Sequence, residues 1–381
     1  MIVALHIVLI LLLVVPAVYY FVFAVAGSIK RGTARENAVA EASSFCILIP
    51  AYMSDGFILP TVKSALDQDY PEDRFRVIVI SDMMKEETDE MLRNAGAEVL
   101  RVCFENSTKA AALNAAMGYL GPGAADYVAI LDSDNIVERS FLKRMNVALG
   151  GRMVAVQGHR CAKNTDTPIA MADGIFEEVN NLVFRQGHCA LGLSSALIGS
   201  GMAIPYGWFA ESARGFITAG EDKEMELKLL KDGIFVEYAS GIHILDEKTR
   251  SIGNLQKQRM RWLTSQYFLT GRALGDLPHA RLKAGYADKL LQWAFPPRIL
   301  LVAGLPLVAI VTILSRSAFM PVYAVSTLLL YTGIALGIPE WVKAGDLFAI
   351  LKQGPLMLWT TLRNIFSKKT GKDKYIHTDH Q

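Results

Sequence analysis

Two carboxylates one residue apart, Asp132 and Asp134, follow an apolar run at residues 127–131. Such a run is typical of a buried strand, and a carboxylate pair at its end can hold one hard divalent cation together with diphosphate oxygens. Acidic turns at strand ends are also common without any ligand. The position directly after a buried strand favours a site for a metal and a diphosphate.

Asp82 follows a second apolar run, at residues 76–80, and its carboxylate could accept hydrogen bonds from a base or a ribose. It could equally cap the acidic helix that follows. Lys109 opens a helix predicted over residues 108–120, where the helix dipole and the ammonium both favour phosphate. The alternative for Lys109 alone is an ordinary surface lysine.

A glycine-bounded triplet, Gly199, Ser200 and Gly201, precedes a short apolar run. Glycines there allow the backbone to approach a ligand closely, although they could also form a simple turn. Further on, Asp222 opens a helix predicted over residues 223–230. Its carboxylate could be a general base for an acceptor hydroxyl, or an acid that complements the helix dipole.

The last cluster is Q-R-M-R-W, with Gln258, Arg261 and Trp262 at its key positions. An arginine can grip a diphosphate with two parallel hydrogen bonds, and an indole ring can stack on a sugar. The alternative is an amphipathic interfacial helix with a tryptophan at the level of the lipid headgroups.

Short apolar runs alternate with amphipathic stretches from about residue 45 to residue 240. Strands that are apolar throughout and separated by helices predict an α/β fold with a mainly parallel sheet covered on both faces. Ligands bind such sheets at the carboxyl ends of the strands. The candidate residues above follow predicted strands or open predicted helices, so the pattern predicts that they share one edge of the sheet.

Membrane segments are indicated by composition, since 52% of the 381 residues are hydrophobic and 20% are charged. Residues 2–27 carry no formal charge and reach the length of about 20 residues that a spanning helix needs. We interpret this run as a retained anchor rather than a cleaved signal peptide. Lys30 and Arg31 directly after it place the following domain in the cytoplasm.

Two further apolar runs, at residues 299–314 and 318–338, predict a transmembrane hairpin. Two amphipathic stretches, at about 260–274 and 346–366, predict interfacial helices, although both could be ordinary domain helices. The predicted division is an anchor (1–28), a cytoplasmic domain (40–255), interfacial helices (256–295), a hairpin (296–339) and an amphipathic helix with a basic tail (340–381).

Other classes of protein fit the composition poorly. A net charge of +2, with no basic stripe interleaved with aromatic residues, argues against nucleic-acid binding. The four cysteines are widely spaced and form no C-x-x-C pair, which argues against a zinc site or a disulfide framework. With few spans and a large cytosolic domain, a transporter is not favoured.

The order of these motifs resembles the family 2 glycosyltransferases, after a strand that ends in Pro50, Ala51 and Tyr52. More narrowly, it resembles the membrane-integrated branch with cellulose, chitin and hyaluronan synthases and bacterial exopolysaccharide synthases. The resemblance covers about residues 45–262, and Q-x-x-R-W is its most specific motif. It implies a GT-A (Rossmann-like) fold, a nucleotide-sugar donor, Mg²⁺ or Mn²⁺ as cofactor, and inverting transfer from a UDP-sugar to a growing β-linked polysaccharide.

The resemblance also implies a role for each candidate residue. Nucleoside and donor binding would fall to Pro50, Tyr52, Asp82 and Lys109. Asp132 and Asp134 would hold the sugar nucleotide and its metal, and Asp222 would be the catalytic base. Gln258 and Arg261 would contact the donor phosphates, and Trp262 would face the acceptor sugar. The acceptor end of the site would be lined by Gly199, Ser200 and Gly201.

The chain departs from the family pattern in places, and two alternatives stay open. It has G-E-D at residues 220–222 where the family often has T-E-D, and its tail at 375–380 is only loosely similar to the family's closing element. The first alternative is a single addition to a membrane lipid, and the second is a non-catalytic subunit. Expected partners are the donor, a polysaccharide or lipid acceptor, membrane lipids and export subunits, at a bacterial inner membrane.

Overall fold

The computed structural model describes residues 2–29, 41–218 and 220–366, without the side chains of residues 257, 261–263, 267 and 364–366. Lys30 and Arg31, on which the orientation of the anchor was predicted, lie outside the described residues. The predicted basic tail and the element at 375–380 also lie outside them.

The chain begins with one long apolar helix, built from α1 (Ile2–Leu9), a π-helical turn (Ile10–Val14) and α2 (Val15–Ile29). At a rise of about 1.5 Å per residue, 28 residues extend about 40 Å. Within the described part of the chain, this is the one helix that is long and apolar enough by itself to cross a membrane.

An eight-stranded mixed sheet forms the centre of the following domain, in the order β3-β2-β1-β4-β7-β6-β8-β5. Its strands are β1 (Phe45–Tyr52), β2 (Phe75–Asp82), β3 (Glu98–Val102), β4 (Tyr127–Ile130), β5 (Ile136–Val137), β6 (Ala155–Ala162), β7 (Met202–Pro205) and β8 (Val236–Asp246). The pairs β1–β2, β1–β4, β2–β3 and β6–β8 are parallel, whereas β4–β7, β6–β7 and β5–β8 are antiparallel.

Helices cover both faces of this sheet. They are α3 (Ile58–Leu66), α4 (Glu86–Asn94), α5 (Lys109–Leu120), α6 (Phe141–Leu149), α7 (Pro168–Asn180), α8 (His188–Ala190), α9 (Tyr206–Ser212) and α10 (Glu221–Asp232). A π-helical segment (Asn181–Gly187) joins α7 to α8, and 3₁₀ turns occur at Glu72–Arg74 and Ala213–Gly215.

The apolar character of β1 on both faces explains the two hydrophobic cores. Phe45, Ile47 and Ile49 point into the core formed with α3, α4 and α6. Cys46 and Leu48 point into the core formed with α5, α9 and α10. The α/β fold with a mainly parallel sheet is therefore confirmed. The strands and helices predicted between residues 45 and 131 are all present.

Five more helices follow: α11 (Ile252–Asp276), α12 (Lys283–Ala294), α13 (Arg298–Leu314), α14 (Met320–Leu336) and α15 (Ala344–Phe366), with a 3₁₀ turn at Leu277–His279. The N-terminal helix packs on α13 and α14 in a third hydrophobic cluster. By length and composition, α12 and α13 qualify as a span only as a pair that is bent by 66°, and α14 is apolar but shorter. The transmembrane hairpin stays a prediction.

Candidate active site

A cavity of about 230 Å³, here called the first cavity, opens at the carboxyl ends of β1, β2 and β4. Of the residues predicted from sequence, it is lined by Pro50, Tyr52, Asp82, Lys109, Asp132, Asp134, Gly199, Asp222 and Gln258. These residues are separated by up to about two hundred positions in the chain, so the fold brings most of the predicted set into one place.

One end of the first cavity is formed by the ends of β1 and β2. Tyr52 and Asp82 are direct neighbours in the parallel register of these strands. Asp82 is buried, and its Oδ1 atom has no hydrogen-bond partner in the described part of the chain. The residues directly after the two strands, Met53 and Met83, have φ angles of 49° and 57°. This backbone conformation is costly for side chains other than glycine and is concentrated at functional sites.

Lys109 is fixed at the first turn of α5, whose N-cap residue Thr108 accepts a hydrogen bond from the Ala111 amide. Its ammonium donates to Asp132 and, over 2.9 Å, to the carbonyl oxygen of Gly199. The Oε1 atom of Glu221 lies 3.7 Å away. Burial alone would lower the pKa of Lys109, but the charges of Asp132 and Glu221 outweigh it and the pKa is raised. Lys109 therefore stays a cation.

Asp132 and Asp134 have different electrostatic surroundings. Burial acts to raise the pKa of Asp132, but Lys109 and Arg160 outweigh this effect and the net shift is downward. Burial together with Asp246 and Asp132 raises the pKa of Asp134 to about 8. The amide of Asn135 donates 3.1 Å hydrogen bonds to both Asp134 and Asp246, which holds these carboxylates beside each other. Asp134 is therefore a buried carboxyl with two other carboxyls, Asp132 and Asp246, in its surroundings.

The chemistry of these donors fits a divalent cation that is completed by a ligand. Within residues 2–29, 41–218 and 220–366, no group of three or more His, Cys, Asp or Glu side chains is arranged to hold a metal ion. A cation on Asp132 and Asp134 would therefore need further oxygen ligands, such as those of a diphosphate. It would bring positive charge to Asp134, which is buried beside the carboxylates of Asp132 and Asp246.

A buried ionic network that sequence reasoning missed supports the acidic end of the first cavity. The guanidinium of Arg160 lies 3.5 Å from Asp246 and 3.1 Å from Glu177. Lys248 lies 2.9 Å from Asp246 and 3.5 Å from Glu177. Asp246 ends β8 as Asp82 ends β2, but β8 contains Glu237 and His243 and is not an apolar run, so the sequence alone does not mark its end. Arg160, Glu177 and Lys248 carry no local signal, since their partners are distant in the chain.

Gly199, Glu221 and Asp222 lie together beside the Lys109 ammonium, which also contacts Asp132. Gly199 has a φ angle of 87°, and a Cβ atom placed on it would lie 3.5 Å from the Lys109 ammonium and 3.7 Å from the Asp222 Cβ. A side chain there would be strained and would fill the space between these groups. Burial raises the pKa of Glu221 to about 7. The side chain of Asp222 lines the cavity and accepts a 2.9 Å hydrogen bond from the Lys223 amide.

The remaining predicted residues lie beside the first cavity or outside the described side chains. Ser200 and Gly201 are buried, and their carbonyl oxygens accept hydrogen bonds from the Gln157 amide at 2.9 and 3.2 Å. They support Gly199 and do not line the cavity. Arg261 and Trp262 lie on α11, one turn after Gln258, and their side chains are outside the described ones.

A second cavity, of about 320 Å³, adjoins the first one. Asp173 and Glu177, one turn apart on α7, line both cavities. The other walls of the second cavity come from the N-terminal apolar helix, α11, the start of α13 and α15, at residues that include Tyr20, Arg259, Arg298 and Met357.

The domain that contains this sheet and the first cavity has the GT-A type of fold. The structure is similar to that of the mannosyltransferase PcManGT from Pyrobaculum calidifontis, solved in complex with GDP-Man and Mn²⁺. The TM-score is 0.57 at 16% sequence identity, over 93% of this chain and 95% of that chain. At this identity, the likeness shows the fold.

The glycosyltransferase-like family 2 model matches residues 42–265, which is more than half of the chain, and the chain belongs to this family. It is therefore a glycosyltransferase. It is 26% identical over 253 residues to the cellulose synthase catalytic subunit (UDP-forming) of Pseudomonas fluorescens, covering 60% of this chain and 32% of that protein. It is 29% identical over 107 residues to putative cellulose synthase 2 of Komagataeibacter xylinus, covering 28% of this chain and 7% of that protein. The chain thus spans at most about a third of the length of these two relatives.

Proposed function

We propose that the protein transfers a sugar, with inversion, from a UDP-sugar to a hydroxyl group of a growing β-linked polysaccharide at the cytoplasmic face of a membrane. The observation that carries this proposal is that the predicted metal, donor and acceptor residues line one cavity, the first cavity. It contains a carboxylate pair for a metal and a diphosphate, Asp132 and Asp134, and a separate carboxylate for an acceptor, Asp222.

Donor binding begins at the β1–β2 end of the cavity. Tyr52 and Asp82 would hold the nucleoside, and the unpartnered Oδ1 atom of Asp82 would accept a hydrogen bond from it. The Lys109 ammonium and the Gln258 amide would contact the phosphates. Arg261, one turn further along α11, would add a second cation for the diphosphate.

Asp132 and Asp134 would hold Mg²⁺ or Mn²⁺, which when bound neutralises charge on the departing diphosphate. The Pyrobaculum mannosyltransferase, solved with Mn²⁺ and a nucleotide sugar, supports this assignment. The protein's own contribution is to hold the donor phosphates near Lys109 and to keep Asp132 ionised through Lys109 and Arg160.

The reaction would be a single displacement at the anomeric carbon. Asp222 takes the proton from the acceptor hydroxyl, and the acceptor oxygen forms the new bond to the anomeric carbon. The bond from that carbon to the phosphate oxygen breaks, and its electron pair leaves with the nucleoside diphosphate. Attack from the face opposite the leaving group turns an α-linked donor into a β-linked product.

The polysaccharide acceptor is supported by the names of the curated relatives, both of them cellulose synthases. The membrane location is supported by the N-terminal helix Ile2–Ile29. A second candidate is a single addition to a membrane lipid. One observation favours it, namely that the second cavity is walled by the N-terminal apolar helix and by the start of α13.

The test uses purified full-length protein with a panel of UDP-sugars and GDP-mannose, in the presence of Mn²⁺ and membrane lipid. We expect release of UDP from one UDP-sugar and a β-linked product by mass analysis and glycosidase digestion. Exclusive use of GDP-mannose would contradict the UDP-sugar assignment. An α-linked product from an α-linked donor would contradict inversion.

A further inference from the structure

The second cavity contains two guanidinium groups that face the same aromatic ring. The guanidinium carbon of Arg259 lies 5.0 Å from the centre of the Phe176 ring, and that of Arg298 lies 5.3 Å from it. Neither guanidinium has a carboxylate within ion-pair distance among the side chains that the structure describes. Two neighbouring cations without a counter-ion favour the binding of an anion.

The two arginines differ in how they are held. Arg298 donates to the Tyr20 hydroxyl over 3.2 Å and also to the Asn180 side chain. Arg259 makes no hydrogen bond to another described side chain. Burial lowers the pKa of Arg259; the charge of Asp173 opposes this shift, and the charge of Arg298 adds to it. An anion between the two guanidinium groups would offset both the cost of burying Arg259 and its repulsion from Arg298.

The carboxylates in the cavity wall do not supply this anion. Glu177 is already neutralised, since Arg185 lies 2.9 Å and Arg160 lies 3.1 Å from it. Asp173 makes no ion pair with Arg259 among the described side chains; burial raises the pKa of its carboxyl, and the charge of Arg259 only partly opposes this shift. The positive charge of Arg259 and Arg298 is therefore left for a ligand.

Part of the cavity wall is suited to an alkyl chain, and it lies beside polar side chains such as Lys223, Gln256 and Gln292. Its apolar side chains include Phe184, Leu255, Phe295, Ile299 and Met357. Beyond Arg298, α13 exposes a run of large apolar side chains, with Leu307 62% and Leu314 78% exposed. Such a face is suited to lipid tails.

We propose that the second cavity binds the head of a phosphate-bearing membrane lipid, with its phosphate between Arg259 and Arg298 and its chain along α13. Because Asp173 and Glu177 line both cavities, this lipid would carry the acceptor hydroxyl towards the first cavity. That acceptor role rests on the second candidate function, a single addition to a membrane lipid, whereas the binding of the lipid does not. The ligand class is a lipid with a phosphate monoester or diester.

The test is calorimetric titration of the full-length protein, in an uncharged detergent, with dodecyl phosphate, dodecanol or inorganic phosphate. We expect dodecyl phosphate to bind, and Arg259→Gln to weaken its binding about tenfold, as the loss of a charged hydrogen bond implies. Arg259→Lys should retain part of the affinity. Arg272→Gln is the matched control, since Arg272 is exposed on the same helix, and it should change nothing.

Three outcomes would overturn the site: equal binding of dodecanol, equal binding of inorganic phosphate, or unchanged affinity in Arg259→Gln. Binding of UDP to the same variants shows whether the first cavity is intact, so a misfolded variant is recognised. If dodecyl phosphate binds but no UDP-sugar is consumed, the lipid site stands and the proposed transfer fails.

Discussion

Gly220, the N-cap residue of α10, is in direct contact with Ser265 of α11. A Cβ atom placed on Gly220 would lie 2.8 Å from the Ser265 Cβ, a distance that real Cβ atoms do not show. Ser265 is 1% exposed and cannot move aside into solvent. The G-E-D sequence, where related enzymes often have T-E-D, therefore reflects the close packing of the helix that begins with Glu221 and Asp222 against the helix that carries Q-x-x-R-W.

Gly220→Thr should lower the free energy of unfolding by about 1–3 kcal/mol, the usual cost of overpacking. It should also reduce transfer, since α10 can only accommodate the methyl group by shifting Asp222. The measurement is thermal unfolding of the full chain beside initial rates. Gly207→Thr is the matched control, because no atom lies within 4 Å of a Cβ at that exposed helical position. Equal stability of the two variants would show that α10 and α11 are not tightly packed.

Asp132→Asn and Asp134→Asn should each abolish transfer while leaving the fold intact, because a cation would lose one of its two protein ligands. Excess chelator should reproduce the loss in the parent enzyme, and Mn²⁺ or Mg²⁺ should reverse it. Asp73→Asn, at a carboxylate that is 82% exposed, is the control and should retain activity. Full activity in excess chelator would reject the metal.

Asp222→Asn should reduce the transfer rate by about two to four orders of magnitude and change donor affinity by no more than a few-fold. The amide keeps the shape of the side chain but cannot take a proton. Donor binding by titration and initial rates check this together. Asp232→Asn, at the other end of α10 and outside both cavities, should leave the rate near that of the parent.

Two results would revise the role of Asp222. Near-normal turnover in Asp222→Asn would reduce it to an acid that complements the helix dipole, for which a loss of about 0.3–1 kcal/mol in stability is expected. An equal loss of donor binding and rate would assign it to the donor site.

A tag at the N-terminus should lie outside the cytoplasm, and a tag after Gln381 should lie inside it. The reason is that Lys30 and Arg31 follow the first span and the basic tail follows the last one. Protease accessibility in spheroplasts and in inverted vesicles measures both. Termini on the same side would mean an even number of crossings and would exclude three spans.

The elements between residues 45 and 131 could be predicted from sequence because their signals are local. Each of β1, β2 and β4 is apolar on both faces, and β1 and β2 are each followed by a helix with its own periodicity. The second half of the sheet gave no such signal. Strand β6 contains Gln157, His159 and Arg160, and β8 contains Glu237 and His243, so neither strand is an apolar run.

The antiparallel insertion of β7 between β4 and β6 also has no sequence signal, although Met202, Ala203 and Ile204 form an apolar run. The direction in which a strand enters the sheet depends on the edge at which the preceding connection ends, and tertiary packing sets that position. The register pairs Ile130 with Met202, which brings Gly199 and Ser200 back to the carboxyl end of β4.

The sequence by itself determined the kinds of chemistry, since carboxylates, a lysine and glycines follow predicted strands or open predicted helices. Tertiary structure decided which charges face one another: Asp246 beside Asp134, Arg160 between Asp246 and Glu177, and Arg259 near Arg298. The physical reason is the range of the interactions. Helix and strand periodicity arises between residues a few positions apart, whereas an ion pair acts over a few ångströms between residues that the folded path alone makes neighbours.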